Sequence, residues 1–490
     1  MFLLVAVRAA WFAVDPTPML FLGDSQSYLA TAVWRSIPPD RSFYYGDVVR
    51  LVAVSTGDLR WLLAFQAACS VVAALLLAGA IREVVGAKPI LAGSLAVVWA
   101  ACEPLAVLWE RYVMAEACAL PLFGVFILSG LRYVATRRIG WLALANVAGT
   151  GVLAFRLPFV AAAWIAAIVL PPLTLLARRR ITVRKGIGEL EPVAHRSDAS
   201  GVPSAPAHRS QLWVLLAHLL LSIAIAAVLH AGYRARFAAL AGGPPAYQRA
   251  DGLFLVAAWA PLLEASDFPD PALGRDVLAA SRCALRDRSA RNDQRFSDGC
   301  LVWQLTAAIG DPIVTDDVAR KTALALLRRD PSGVAFLALD TWLDYVNPTV
   351  LADVMKWDRQ DLDYPEEVNR LLGERFGIDG RPLPHLSTAS NRWYFRASFW
   401  LVVLAVSPAL AWLAFLVRVV RGDDRVRQAA WIAIMATVLM VIPAAVGVRA
   451  APRFLHPLGW LAPLWIAELI AIISAFFRLD HRGIHSGTIA

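Results

Sequence analysis

Charged residues are scarce in this sequence. Asp, Glu, Lys and Arg make up 17% of its 490 residues, against about a quarter in soluble proteins, while 58% are hydrophobic. An ordinary soluble chain is thereby excluded. Strand-like alternation is rare and no internal repeat is found, which argues against the inverted-repeat architecture common in transporters. His218 and His230 lack the spacing of metal ligands. No basic segment precedes the first apolar run and no small-residue cleavage site follows it, so that run is not read as a signal peptide. Cysteines number only five. Cys69, Cys102 and Cys118 fall in apolar runs and read as small packing residues. Cys283 and Cys300 fall in a polar segment, where an oxidising compartment would permit a disulfide that spacing alone does not fix.

What is abundant is apolar sequence, in runs close to the roughly 20 residues that cross a bilayer. Ten spans are expected, near 1–14, 61–81, 89–109, 113–131, 140–155, 157–177, 211–231, 395–417, 429–447 and 454–477. The first supplies only about 21 Å of helix, so it is expected to tilt out of the core unless the true start lies upstream. Trp61, Trp109, Trp141, Trp213 and Trp400 fall near span ends, as an aromatic belt would. The net charge of +9 is concentrated in the short loops after the even-numbered spans, from Arg82 and Lys88 to Arg478 and Arg482. Positive short loops mark the cytoplasmic side. Both termini are then expected inside, with Asp24 and the long segment 232–394 outside. Basic charge here reads as topology, not as a nucleic-acid surface. A composition rich in Ala, Arg and Leu fits a GC-rich bacterium, with the inner membrane as the expected location of this multi-pass chain.

The expected fold is therefore an all-α polytopic membrane protein of about ten transmembrane helices. It divides into an N-terminal membrane module (1–231) with an outer loop at 15–60, a mostly helical extracytoplasmic domain (232–394) and C-terminal membrane helices (395–490). Within the outer loop, Pro38 and Pro39 separate "DSQSYLATAVWRS" from "GDVVRLVAVSTG", two amphipathic pieces suited to the membrane interface. The loop 178–210, rich in Arg, Ser, Pro and Gly, is expected to be disordered. In "TDDVARKTALALLRRD", Thr315 or Asp316 is the expected N-cap, with Arg328 and Arg329 closing the helix.

Ionisable residues near the outer ends of the spans are the informative set. They are Asp24; Glu103 and Glu110, seven apart and so expected on one helix face; Arg111 and Glu116; Arg156; and Arg449, Arg453 and His456. Taken singly, each has a plain structural reading as a solvated span end or a headgroup anchor. Glu116 lies inside an apolar run and must be paired or face a cavity. Glu468 reads as an isolated packing residue. Together the set suits a substrate with a lipid tail and a phosphate head. Arginines would bind the phosphate, and a carboxylate would take a proton from an acceptor hydroxyl. A sugar phosphate already carries a good leaving group, so one base on the opposite sugar face would give inversion.

The order of a short first span, "GDSQSYL", "ERYVMAE", "FRLP" and a late "RFLHPL" resembles the GT-C superfamily of membrane glycosyltransferases. That superfamily includes the dolichyl-phosphate-mannose protein mannosyltransferases and the aminoarabinose transferases of lipid A. The resemblance covers mainly residues 1–180 and, more weakly, 430–480. It implies a polyprenyl-phosphate-linked sugar donor and a lipid, glycan or protein acceptor, with no nucleic acid. It implies Asp24 as catalytic base, Tyr28 beside it on the same helix face, and Glu110 or Glu116 at a second acidic position. Arg111 would join these residues in binding donor or acceptor, while Arg156, Arg449, Arg453 and His456 would bind lipid phosphate. The acid is a single Asp24 rather than a paired motif, and Phe454 stands where the family often has Tyr, so a divalent metal stays open as a cofactor. The alternatives are a lipid or glycan transporter or flippase, a glycan ligase or polymerase, and a non-catalytic scaffold of envelope assembly.

Overall fold

In lipid, a backbone must satisfy its own polar groups, and long runs of Ala, Leu, Val and Ile do so as helices. The computed structural model describes residues 1–176, 205–358, 366–378 and 388–484. Among these residues the chain is helix and loop without a strand, and one isolated parallel bridge joins Met19 to Tyr112. The first ten helices are α1 (Phe2–Val14), α2 (Leu22–Trp34), α3 (Tyr44–Val49), α4 (Arg60–Val85), α5 (Pro89–Cys102), α6 (Pro104–Trp109), α7 (Glu116–Thr136), α8 (Ile139–Phe155), α9 (Val160–Leu173) and α10 (Ala205–Ala241). The middle of the chain adds α11 (Asp251–Ala258), α12 (Pro271–Ala280), α13 (Arg291–Phe296), α14 (Leu301–Ile309), α15 (Pro312–Arg329), α16 (Pro331–Val346), α17 (Pro348–Asp358) and α18 (Glu366–Phe376). Last come α19 (Ala389–Arg396), α20 (Phe399–Ala405), α21 (Ser407–Arg421), α22 (Val426–Val446) and α23 (His456–Ile484).

Five helical stretches are long and apolar enough to cross a membrane: α4, α7, Leu212–Ala241, α22 and Pro452–Ser474. The pair α20 and α21, bent by 51°, makes a sixth if counted as one span. Helices α1, α5 and α8 and the stretch Leu157–Leu173 are apolar but shorter.

Several local expectations change. Of the loop 178–210, residues 178–204 lie outside the described residues, and 205–210 already belong to α10. The N-cap of α15 is Asp311, whose carboxylate accepts from the amides of Ile313 and Val314, with Pro312 preset for the first turn. Asp316 is buried instead, accepting from the Gly252 amide and pairing with Arg320. The expected 89–109 span breaks at Glu103, because Pro104 starts a new helix and the Glu103 side chain caps it. Trp109 is fully buried and so is no belt residue, whereas Trp61 and Trp213 are exposed. Glu468 is not isolated: Arg418 reaches it at 3.4 Å while also holding Asp423.

Buried apolar residues form a main core through the long apolar helices. That core also takes in Tyr345, Leu351, Met355, Val368, Leu371 and Phe376. A second core, with Val256, Phe268, Val277, Leu301, Leu305 and Leu326, lies between residues 256 and 334. Within that part of the chain a disulfide joins Cys283 to Cys300, Cα atoms 5.2 Å apart.

Candidate functional site

The site begins with a backbone stitch. The Met19 amide donates to the Arg111 carbonyl at 2.7 Å, and the Val113 amide donates back to Met19 at 2.9 Å. Ser25 extends it, its Oγ accepting from the Phe21 amide and donating to the Val113 carbonyl. The two connections 15–24 and 110–115 are thereby fixed to each other. Asp24 follows in the first turn of α2, where a carboxylate also favours the helix dipole.

Two guanidiniums grip Asp24. Arg453 Nη1 lies 2.6 Å from one carboxylate oxygen and Arg41 Nη1 lies 2.7 Å from the other. About a fifth of the Asp24 side chain stays exposed, at 21%. Arg41 is itself oriented by a two-point contact with Asp40, at 2.8 and 2.9 Å. Burial pushes the Asp24 carboxyl up, but Arg453 and Arg41 outweigh it and hold the group below the ordinary aspartate value. The carboxylate is therefore ionised at neutral pH.

A second ion pair lies alongside. Glu116, in the first turn of α7, pairs with Arg156 at 2.9 Å, and both are buried. Phe454 is shared between the clusters, its ring 5.2 Å from the Arg453 guanidinium and 5.7 Å from that of Arg156. Phe21 flanks Arg453 from the other loop at 5.3 Å. Tyr28 is buried between the pairs. Burial first, then the charges of Asp24 and Glu116, raise its phenol well above the usual value, against Arg41 and Arg156. Its ring meets Tyr45 edge-on at 4.8 Å. Helices α2 and α3 come this close because Gly46 has no side chain: a Cβ there would lie 2.4 Å from Thr31 Cγ2.

Asp24, Tyr28, Glu116, Arg156 and Arg453 are thus brought together. Glu110 and Arg111 are not among them. Glu110 turns inward to Arg8 of α1 at 3.0 Å, with Arg111 at 3.7 Å, all three side chains at most 2% exposed. The cause is the break at Glu103, which also ends the expected shared face of Glu103 and Glu110. Glu103 instead accepts from the Ala106 amide and the Trp400 indole. Gln66 secures the turn, donating to the carbonyls of Glu110 and Tyr112 and accepting from the Tyr45 hydroxyl. His456 is buried within reach of the charges of Arg156 and Arg8, and Arg449 is half-buried in the turn before Pro452.

Two residues escaped sequence reasoning. Arg41 carries no signal of its own beyond lying close after two prolines in the same loop as Asp24. Arg8 carried a plainer signal, being a lone cation in an otherwise apolar helix.

An apolar cleft opens from Arg156. Pro158, Phe159 and Ala162 line one wall, Val438, Leu439, Ile442 and Pro443 of α22 the other, with Phe454 and Pro457 at the mouth. A larger hollow, lined by Val134, Asp423, Asp424, Arg425, Arg427 and Gln428, lies at the far end of α7, about 27 Å of helix away. It shares no residue with the Asp24 cluster.

The donor set does not suit a divalent ion. Each Asp24 oxygen faces a guanidinium, Glu116 is held by Arg156, and no group of three or more His, Cys, Asp or Glu side chains able to hold a metal occurs among the described residues. Compared with models of protein families, with curated proteins and with solved structures, the chain matches none.

Proposed function

We propose that the chain is a membrane glycosyltransferase of the GT-C type that moves a sugar, with inversion, from a polyprenyl-phosphate donor to an acceptor hydroxyl. One observation carries this reading: an ionised carboxylate, Asp24, is held by two arginines, and Phe454 joins that cluster to Arg156, which lines an apolar cleft. The cleft's apolar lining matches an isoprenoid chain, and at about 20 Å³ the cleft must widen to admit one. Arg156 and Arg453 suit its phosphate, because guanidinium recognises phosphate through paired, charge-assisted hydrogen bonds.

In the reaction, the acceptor oxygen attacks the anomeric carbon on the face opposite the phosphate. The bond from that carbon to the phosphate oxygen breaks, and its electron pair leaves with the lipid phosphate. The acceptor proton passes to Asp24. Charge growing on the phosphate is matched by Arg453 and Arg156. As phosphate draws Arg453 toward itself, one Asp24 oxygen is released to act as base. No step is routed through a metal.

On the same reading the site faces outward and both termini lie in the cytoplasm. If the four shorter apolar stretches also cross, with the bent pair counted once, the chain crosses ten times. A disulfide at Cys283–Cys300 suits an oxidising outer compartment.

The test is donor binding by the purified protein in lipid nanodiscs, with a panel of polyprenyl-phosphate sugars. Arg453→Ala and Arg156→Ala should each weaken binding about 10- to 100-fold, the worth of one charged hydrogen bond. Unchanged donor binding in both variants would contradict the reading. A glycan ligase would need the same arginines but not the base, and the Asp24 variant described in the Discussion separates the two.

A further inference from the structure

Helix α16 carries its apolar residues on the outside. Phe336, Leu339 and Leu343 are 65%, 48% and 47% exposed. At spacings of three and four they form one stripe, joined by the exposed Ala335. A helix facing water would present polar side chains there. The acids of α16 are half-buried on one flank of the stripe and meet arginines: Asp340 pairs with Arg288, and Asp344 feels the charge of Arg291. Arg291 also donates to Thr341 Oγ1 at 3.0 Å.

The other side of α16 is fastened to the membrane helices. The Trp342 indole donates to the carbonyl of Ala405, at the break between α20 and α21. The Tyr345 hydroxyl donates to the Ala451 carbonyl and accepts from its amide, at 3.3 and 3.1 Å. Helix α16 packs along α22 and beside α20. Those helices also expose apolar side chains, Val441 and Val446 of α22 and Phe399 of α20.

We infer that α16 lies in the membrane interface, with Phe336, Leu339 and Leu343 resting on lipid acyl chains. The occupant is the bilayer because α16 packs along α22, which is long and apolar enough to cross it, and is fixed to the break within the α20–α21 pair. Its charges sit along one edge, as in interfacial helices, with Arg288 reaching outward from them at 60% side-chain exposure. Segment 232–394 is thereby anchored through its own helix. Ala451, held by Tyr345, is two residues from Arg453, so the lipid-seated helix also braces that guanidinium. The inference does not depend on the transfer chemistry.

The test uses the whole protein, without substitution, in phosphatidylethanolamine/phosphatidylglycerol vesicles doped with a phospholipid carrying a mid-chain diazirine. After irradiation, adducts should appear on the peptide holding Phe336 to Leu343, at a yield comparable to that at the exposed Leu216 and Leu220 of α10. Labelling of α10 with none on this peptide would overturn the inference. An independent readout is a nitroxide at Leu339→Cys, with Cys69, Cys102 and Cys118 changed to Ala. Collisions with oxygen should exceed those with a water-soluble nickel chelate several-fold. Nickel access equal to that of a label at the exposed Lys321 means water, and overturns it. Low access to both reagents means a protein cover such as a second copy of the chain, and overturns it equally.

Discussion

Asp24 is acidic because it is held, not because it is solvated. Burial alone would raise its pKa; Arg453 and Arg41 lower it below 3.8. A depressed folded value contributes stability that is present above the unfolded value and lost as pH falls through the folded one. For catalysis the same sign holds: the base is ionised at neutrality and stays so until the pH falls below the ordinary aspartate range. The pH profile of sugar transfer should therefore show no Asp24-dependent loss between pH 7 and 5. In Arg453→Ala, burial is less opposed and the acidic limb should move up. An unmoved limb in a variant that still turns over would contradict the assignment. Glu110 has a different role. Its pairing with Arg8 has almost no solvent to fall back on, and only the more distant Arg111 would remain to it, so Arg8→Leu should cost up to about 3–5 kcal/mol, read as a drop in the thermal midpoint in detergent. A midpoint within error of the parent would place Glu110 elsewhere. Asp24, Glu116, Arg156 and Arg453 were legible in the sequence because ionisable groups are rare at the ends of apolar runs. The inward turn of Glu110 was not, since spacing along an unbroken helix hid the break at Pro104.

At the scale of elements, the site depends on how tightly the 15–60 loop is folded onto the bundle. Helix α2 is held by the stitch through Met19 and Ser25, and by its crossing with α3 at Gly46. Gly46→Ala would drive a methyl group into Thr31, and overpacking of this kind costs about 1–3 kcal/mol. The midpoint should fall, and Thr31→Gly in the same chain should restore most of it. A Gly46→Ala protein as stable as the parent would mean that α2 and α3 are not so close. The existence of these two helices was readable from the prolines between them. The close crossing was not, because one glycine among 30 gives no sign of what faces it. The same holds for α15. Its N-cap was sought at Thr315 and Asp316, where acids precede an apolar run, yet Asp311 before Pro312 is the stronger start signal.

For the molecule as a whole, composition alone was enough to indicate a helical membrane protein, because few other chains combine so little charge with so many apolar runs. The packing of Tyr345, Leu351, Met355, Val368, Leu371 and Phe376 into the main core was not legible, since their polar surroundings resemble any soluble helical segment. The central claim is that this architecture exists to let a lipid-borne sugar meet an acceptor at Asp24. The most direct test is Asp24→Asn, assayed in nanodiscs for transfer from polyprenyl-phosphate sugars, with donor binding measured on the same preparation. Asn keeps the shape and removes the base. The account predicts that transfer falls about 10²- to 10⁴-fold while the donor still binds. Transfer at the parental rate would contradict it.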